Sequence, residues 1–405
     1  MAVGQVCFPE MMPVPGFRLG TTSAGIKTPG RKDLVLMEVV EGGTVAGVFT
    51  KNAFCAAPVQ LTKSHITSTP SRYLVTNTGN ANAGTGESGR KNAKAVCQAV
   101  AEVAGVTAEA VLPFSTGVIG ESLPVDKIIS ALPMAYSALS ESGWSDAAAG
   151  ILTTDTRPKG ASIQFELAGK TITITGIAKG SGMIKPNMAT MLSYVATDAA
   201  IDQGLLHSLV SRAVDASFNR ITVDGDTSTN DCAMLIATGK SGVNLRELSW
   251  TAQACFERSL KELFISLAQQ IVQDGEGATK FVTVEVAGGI NSAECLAVAY
   301  TVAESPLVKT ALFASDPNWG RILAAIGRAG LPDLDVDVIQ VYLDEVLIAE
   351  KGGRADSYLE SLGQAVMDKD SLSIRIFLNR GDTMETVWTT DLSYDYVKIN
   401  AEYRT

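Results

Sequence analysis

The chain is predicted to fold as an α/β protein with a smaller α+β unit at its C-terminal end, and three observations predict it. Strand-like and helix-like stretches alternate along the first part of the chain. Helical stretches there carry apolar residues at helical spacing. From Phe281 onward the texture changes to alternating strands.

Taken in order, "VLMEVVEGGTVAGVFT" and "RYLVTNTGNANAG" read as strands that end in glycine- and asparagine-rich loops. In "RKNAKAVCQAVAEVAG", Ala93, Val96, Cys97, Val100 and Ala104 share one face of a helix. Leu205, Leu206, Leu209, Val210, Ala213 and Val214 repeat that pattern. Phe256, Leu260, Leu263, Phe264, Leu267 and Ile271 repeat it again, up to a stop at "QDGEGATK". Next, "KFVTVEVAGG" is an alternating strand. "LDVDVIQVYLDEVLIAE" reads as a hairpin turning near Asp344 and Glu345, and "SLSIRIFLNRG" and "METVWTTDLSYDYVKINAEY" add further strands. Residues 1–284 therefore read as one α/β body of sheets flanked by helices, and residues 285–405 as the smaller α+β unit.

Composition removes several classes of function. The chain has 405 residues and a net charge of -10, with Lys and Arg scattered rather than blocked. Such a surface repels nucleic acid and anionic membranes. No apolar run approaches the length that spans a bilayer, and the first residues lack the pattern of a signal peptide. Six cysteines lie far apart without a CxxC pair, and only His65 and His207 could join them, so a zinc site has little material. A reducing cytoplasm is the expected compartment.

Candidate chemistry begins with two exclusions. "GTGESGRK" lies where a phosphate loop would, but Arg90 and Lys91 replace the loop's lysine and its magnesium-binding hydroxyl, so a capped helix start is expected. A Ser-His-Asp triad needs a histidine base; His65 and His207 both sit in helix-like or unremarkable surroundings. A hydroxyl nucleophile would then need another base, such as its own α-amine at a chain N-terminus. "GMIKPNMATMLS" draws attention to Thr190, which stands between a loop and a short apolar run. Read alone, Thr190 is one β-branched residue of a buried segment. Three other stretches supply partners. "PFSTGVIGE" offers Thr116 and Gly117 as an oxyanion-binding pair. "LTTDTRPKG" is too polar for a core, and "DGEGATK" isolates Glu276 in a glycine-flanked loop. "TVDGDTSTND" lacks the glutamate that ends a calcium loop, and is expected to wall the site instead.

The set "LTTDTRPK", "AKGSGMIKPNMATML", "RITVDGDTSTND", "VQDGEGATK" and "SDPNWGRI" resembles the ornithine acetyltransferase (glutamate N-acetyltransferase) family of arginine biosynthesis, in order and over essentially the whole chain. The resemblance implies a layered, self-processing body like that of N-terminal-nucleophile enzymes. It implies cleavage between Ala189 and Thr190, giving fragments 1–189 and 190–405 that assemble as α2β2. A distorted, loop-like backbone around the joint suits attack on the preceding carbonyl. It further implies that Thr190 carries an acetyl group from N-acetylornithine to glutamate, with Thr116 and Gly117 holding the oxyanion. Thr153, Lys179, Glu276, Asn400 and Thr405, together with Thr190, match the family's substrate-binding positions. No metal or organic cofactor is implied, and acetyl-CoA stays open as a second donor. A related self-processing aminopeptidase or amidase, with water as acceptor, is the alternative; a non-catalytic binding protein ranks last.

Overall fold

A computed structural model describes residues 2–4, 7–185 and 191–402, and its first part is a sandwich of two sheets between two layers of helices. In chain order the strands are β1 (Phe17–Thr22), β2 (Leu34–Val39), β3 (Thr44–Phe49), β4 (Tyr73–Asn80), β5 (Val111–Val118), β6 (Lys159–Leu167), β7 (Lys170–Lys179), β8 (Leu192–Thr197) and β9 (Cys232–Ala237). One sheet has the order β1-β2-β4-β5 and the other β3-β9-β8-β7-β6. The pairs β4–β5 and β8–β9 are parallel; the rest are antiparallel.

The two-residue period of a strand explains the layering. On β2, Val35, Met37 and Val39 face the second sheet, while Leu34 and Leu36 face helices Gly86–Ala104 and Val125–Ser137. On β9, Cys232, Met234 and Ile236 face the first sheet. Ala233, Leu235 and Ala237 face helices Gln203–Asp215 and Trp250–Gln273. Strands covered on both faces need apolar residues throughout, which is why β9 reads "CAMLIA" with every residue buried.

The C-terminal unit is built differently. Its strands are β10 (Phe281–Gly289), β11 (Gln340–Leu343), β12 (Val346–Glu350), β13 (Gly353–Arg354), β14 (Ser371–Phe377) and β15 (Thr383–Thr390), in the order β13-β12-β11-β14-β10-β15. Val282, Val284 and Val286 alternate into a core shared with Leu372, Ile374 and Ile376 and with helix Ser292–Ala303. The expected hairpin is present, with Asp344 at its turn in the left-handed region. β10 pairs with its neighbours from Phe281 onward, so the division read at residue 284 falls inside a strand.

The end of the chain departs from the strand reading. Tyr394–Ala401 is a helix, because the Ser393 hydroxyl caps it by accepting from Tyr396 N. Its alternating residues bury nothing, so no sheet face rewards the extended form. "GTGESGRK" does begin a helix at Gly86, but Thr85 provides no side-chain cap; its hydroxyl goes to Asn82 Oδ1 at 2.9 Å instead. His65 is buried with Nδ1 2.8 Å from the Val111 carbonyl, and His207 is exposed on its helix. No helix among the described residues is long and apolar enough to cross a membrane.

Candidate active site

A cavity of about 280 Å³ opens at the end of the sandwich where β5 and β7 finish and β8 begins. Its wall includes Thr116, Gly117, Thr153, Lys179, Glu276 and Asn400, drawn from stretches spread over almost three hundred residues of sequence. Met191 and Leu192, the two residues that follow Thr190 in the chain, line it too. Ala189, Thr190 and Thr405 lie outside the described residues.

Each wall residue has a structural reason for its position. β5 delivers Thr116 and Gly117 beside an irregular stretch of its pairing with β4, at Gly79 and Asn80. Gly117 has φ +135°, and a Cβ there would stand 2.3 Å from the Gly79 carbonyl carbon. Only glycine fits that approach. β7 ends with Lys179, whose ammonium donates to Thr116 Oγ1 at 3.2 Å. Desolvation pushes the Lys179 ammonium below its ordinary pKa, against the opposing pull of Asp155. Glu276 follows the end of helix Trp250–Gln273, and its carboxylate accepts from Asn400 Nδ2 at 2.8 Å. Gly182 makes room for that carboxylate, since a Cβ would lie 2.3 Å from Glu276 Cδ. The loop "TVDGDTSTND" does wall the site: Asn230 Nδ2 donates to the carbonyls of Ala81 (2.6 Å) and Ser115 (2.9 Å), and Ser228, Asn230 and Asp231 line the cavity.

Beneath the cavity lies a charged cluster the sequence reading did not single out. Lys159 is fully buried and its ammonium donates to Asp155 Oδ1 and Asp274 Oδ2, each at 2.6 Å. Asp155 also accepts from Thr153 N at 3.0 Å and Gly180 N at 2.7 Å. Asp274 accepts from Thr156 N at 3.0 Å and from the Thr156 hydroxyl. Burial alone would raise the Asp155 pKa; the ammonium groups of Lys159 and Lys179 hold it well below the usual carboxylate range. The cluster fixes the backbone at Thr153, at Thr156 and just after Lys179. The signal was present as "DTRPK", a carboxylate and an amine four residues apart in a stretch already too polar for core.

Next to this cavity, and sharing Gly117, Val118, Thr153 and Thr154 with it, is a second space of about 170 Å³ beside Lys27, Arg31 and Asp33.

An α/β body that converges an ammonium, a carboxylate and a hydroxyl–glycine pair on a pocket this size is built as an enzyme for a small charged molecule. The ArgJ family model matches residues 18–405. The arginine biosynthesis bifunctional protein ArgJ of Pseudomonas syringae pv. tomato is 62% identical over 408 residues, covering 100% of both chains. The crystal structure of the arginine biosynthesis bifunctional protein argJ from Bacillus halodurans is 38% identical, covers 50% of this chain and 95% of that one, and has a TM-score of 0.46. That of ornithine acetyltransferase complexed with ornithine from Mycobacterium tuberculosis is 34% identical, covers 44% and 94%, and has a TM-score of 0.40. The chain belongs to the ArgJ family and is an acyltransferase of arginine biosynthesis.

Proposed function

We propose that the protein is a glutamate N-acetyltransferase that cuts itself between Ala189 and Thr190 and then moves acetyl from N-acetylornithine to glutamate through acetyl-Thr190. One observation carries the reading: Thr116, Gly117, Thr153, Lys179, Glu276 and Asn400 share a single cavity with Met191, the residue that follows Thr190 in the chain.

In the cleavage step, Thr190 Oγ attacks the Ala189 carbonyl carbon. The C–N bond breaks as the C–O ester forms, and the hydroxyl proton passes to the departing nitrogen. Water then hydrolyses the ester, leaving a carboxylate on Ala189 and a free α-amine on Thr190. An α-amine has a reference pKa of about 8 and can act as a base at neutral pH. In the transfer step, Thr190 Oγ attacks the acetyl carbonyl of N-acetylornithine, and the oxyanion is held by the Thr116 hydroxyl and the Gly117 N–H. Ornithine leaves, and the amine of glutamate attacks the acetyl ester to release N-acetylglutamate.

Around these atoms, Lys179 faces a substrate carboxylate and Glu276 the ornithine ammonium, with Thr153, Asn400 and Thr405 completing the binding set. Acetyl-CoA serves as a second donor, in keeping with relatives named bifunctional. The fragments stay together as an α2β2 assembly in the cytoplasm. The part of the chain before β10 acts as the catalytic body, and the unit that begins at Phe281 completes the site through Asn400.

An intact-mass spectrum of fresh protein, followed by assay with N-acetylornithine and glutamate, tests the proposal. Two fragments, one beginning at Thr190, and N-acetylglutamate as product are expected. A chain that stays whole on long incubation contradicts it, and acetate release without glutamate would indicate an amidase instead. Two variants probe the roles. Thr116→Val should lower kcat by about 10²- to 10³-fold with KM little changed, as expected for one lost oxyanion donor. Glu276→Gln should raise KM for N-acetylornithine by about 10- to 100-fold, the worth of one charged hydrogen bond. It should affect glutamate less, because glutamate has no side-chain ammonium. Equal effects on both substrates would remove Glu276 from that role.

A further inference from the structure

The segment entering the joint is held by a carboxylate to which the reaction just described gives no part. Met183 N donates to Asp224 Oδ2 at 2.6 Å and Ile184 N donates to Asp224 Oδ1 at 2.8 Å. Met183 itself has φ +57°, a left-handed conformation that a side chain disfavours. Such a turn makes successive N–H groups converge, forming a concave cradle for an anion. Asp224 fills that cradle and stabilises a backbone that would otherwise relax.

The grip extends on both sides of the joint. Val223 N donates to the Ile184 carbonyl at 2.7 Å, and Lys185 pairs with Glu304 at 2.8 Å. Beyond the joint, Cys232 N donates to the Met191 carbonyl at 3.0 Å. The stretch from Val223 to Cys232 therefore anchors the chain just before residue 186 and just after residue 190. Asp224 also accepts from the Tyr396 hydroxyl at 3.2 Å, and Tyr396 lies one helical turn before Asn400 on the C-terminal helix.

We infer that Asp224 is a positioning residue for self-cleavage, fixing the backbone at Met183 and Ile184 that leads into the joint, with Tyr396 orienting its carboxylate. The inference rests on the cleavage proposed above. Attack on a neighbouring carbonyl is sensitive to geometry, and a displacement of about 1 Å can cost ~10²-fold in rate. A carboxylate offers one oxygen to each N–H. An Asn side chain offers only one acceptor, and Ala none.

The test is a cell-free translation time course of the full-length chain as wild type, Asp224→Ala, Asp224→Asn and Tyr396→Phe. Cut and uncut chain are separated by denaturing gel, and the folded fraction is measured in parallel. Cleavage of Asp224→Ala should be slowed by about 10- to 100-fold, with Asp224→Asn intermediate and Tyr396→Phe mildly slowed. The inference is overturned if all four proteins are cut at one rate, or if cleavage falls only in proportion to the folded fraction. Should Asp224→Ala fail to fold, Asp224→Asn and Tyr396→Phe decide by the same criteria. A wild-type chain that never cuts would overturn the Thr190 reading itself, a result distinct from equal rates among cut proteins.

Discussion

Thr190→Ala protein should remain a single uncut chain and transfer acetyl at least about 10⁴-fold more slowly than wild type, a loss typical of a removed nucleophile. Both effects follow from one atom. Without Oγ there is no attack on the Ala189 carbonyl, so no α-amine is released, and no acceptor exists for the acetyl group. Thr190→Ser should behave differently, because it keeps the hydroxyl; cleavage and transfer should both survive at reduced rates. Cleavage of the alanine variant at the normal rate would mean that another group cuts the chain. The intact-mass spectrum of each variant distinguishes these outcomes, and the acetyl-transfer assay measures the second effect separately from the first.

Lys159→Met should be the most damaging change to stability, at a cost of about 3–5 kcal/mol, the usual result of breaking a buried ion pair from one side. The substituted side chain fills similar space, so a cavity is a minor part of the effect. What remains is two buried carboxylates, Asp155 and Asp274, without the ammonium that bridges them at 2.6 Å. The pH dependence has a definite sign. In the wild type Asp155 is held below its ordinary pKa. A depressed carboxyl contributes stability that is fully present above the unfolded carboxylate range and is lost as pH falls through the folded value. Lys159→Met lacks that contribution, so its stability deficit against wild type should be widest above the unfolded carboxylate range and should narrow as pH falls through the folded value. Asp155 also holds Gly180 N and Thr153 N, so activity should fall along with stability. Thermal melts across a pH series measure the first effect. A variant as stable as wild type would show that the cluster is replaceable.

Much of the architecture was legible because burial leaves a periodic trace. Val282, Val284 and Val286 alternate in sequence and do so in the sheet. Leu263, Phe264, Leu267 and Ile271 keep the helical period because one helix face meets β7. The C-terminal helix left no such trace, since it buries none of its own side chains and depends on a cap and on contacts with Gly277, Asp224 and Glu276. The stacking of two sheets was likewise invisible, because a strand buried on both faces looks the same whichever layer covers it.

At the site, Thr153, Lys179 and Asn400, supplied by the family resemblance, fall on one cavity. Chemistry alone had pointed to Thr190, Thr116, Gly117 and Glu276. The supports were harder to see. Asp155, Lys159 and Asp274 act together across more than a hundred residues, and no local pattern announces a partner that distant. Asp224 sits in a motif that spacing marked only as a polar loop, and its grip on Met183 depends on a left-handed turn found only in three dimensions.

The acyl-enzyme is the central claim, and it can be weighed directly. Cleaved enzyme is incubated with N-acetylornithine in the absence of glutamate, quenched in acid and examined by intact mass and peptide mapping. The account predicts that the fragment beginning at Thr190 gains the mass of one acetyl group, placed on Thr190, and loses it when glutamate is added. Product formation with no acetylated fragment at any time, or an acetyl group on a different residue, would contradict it.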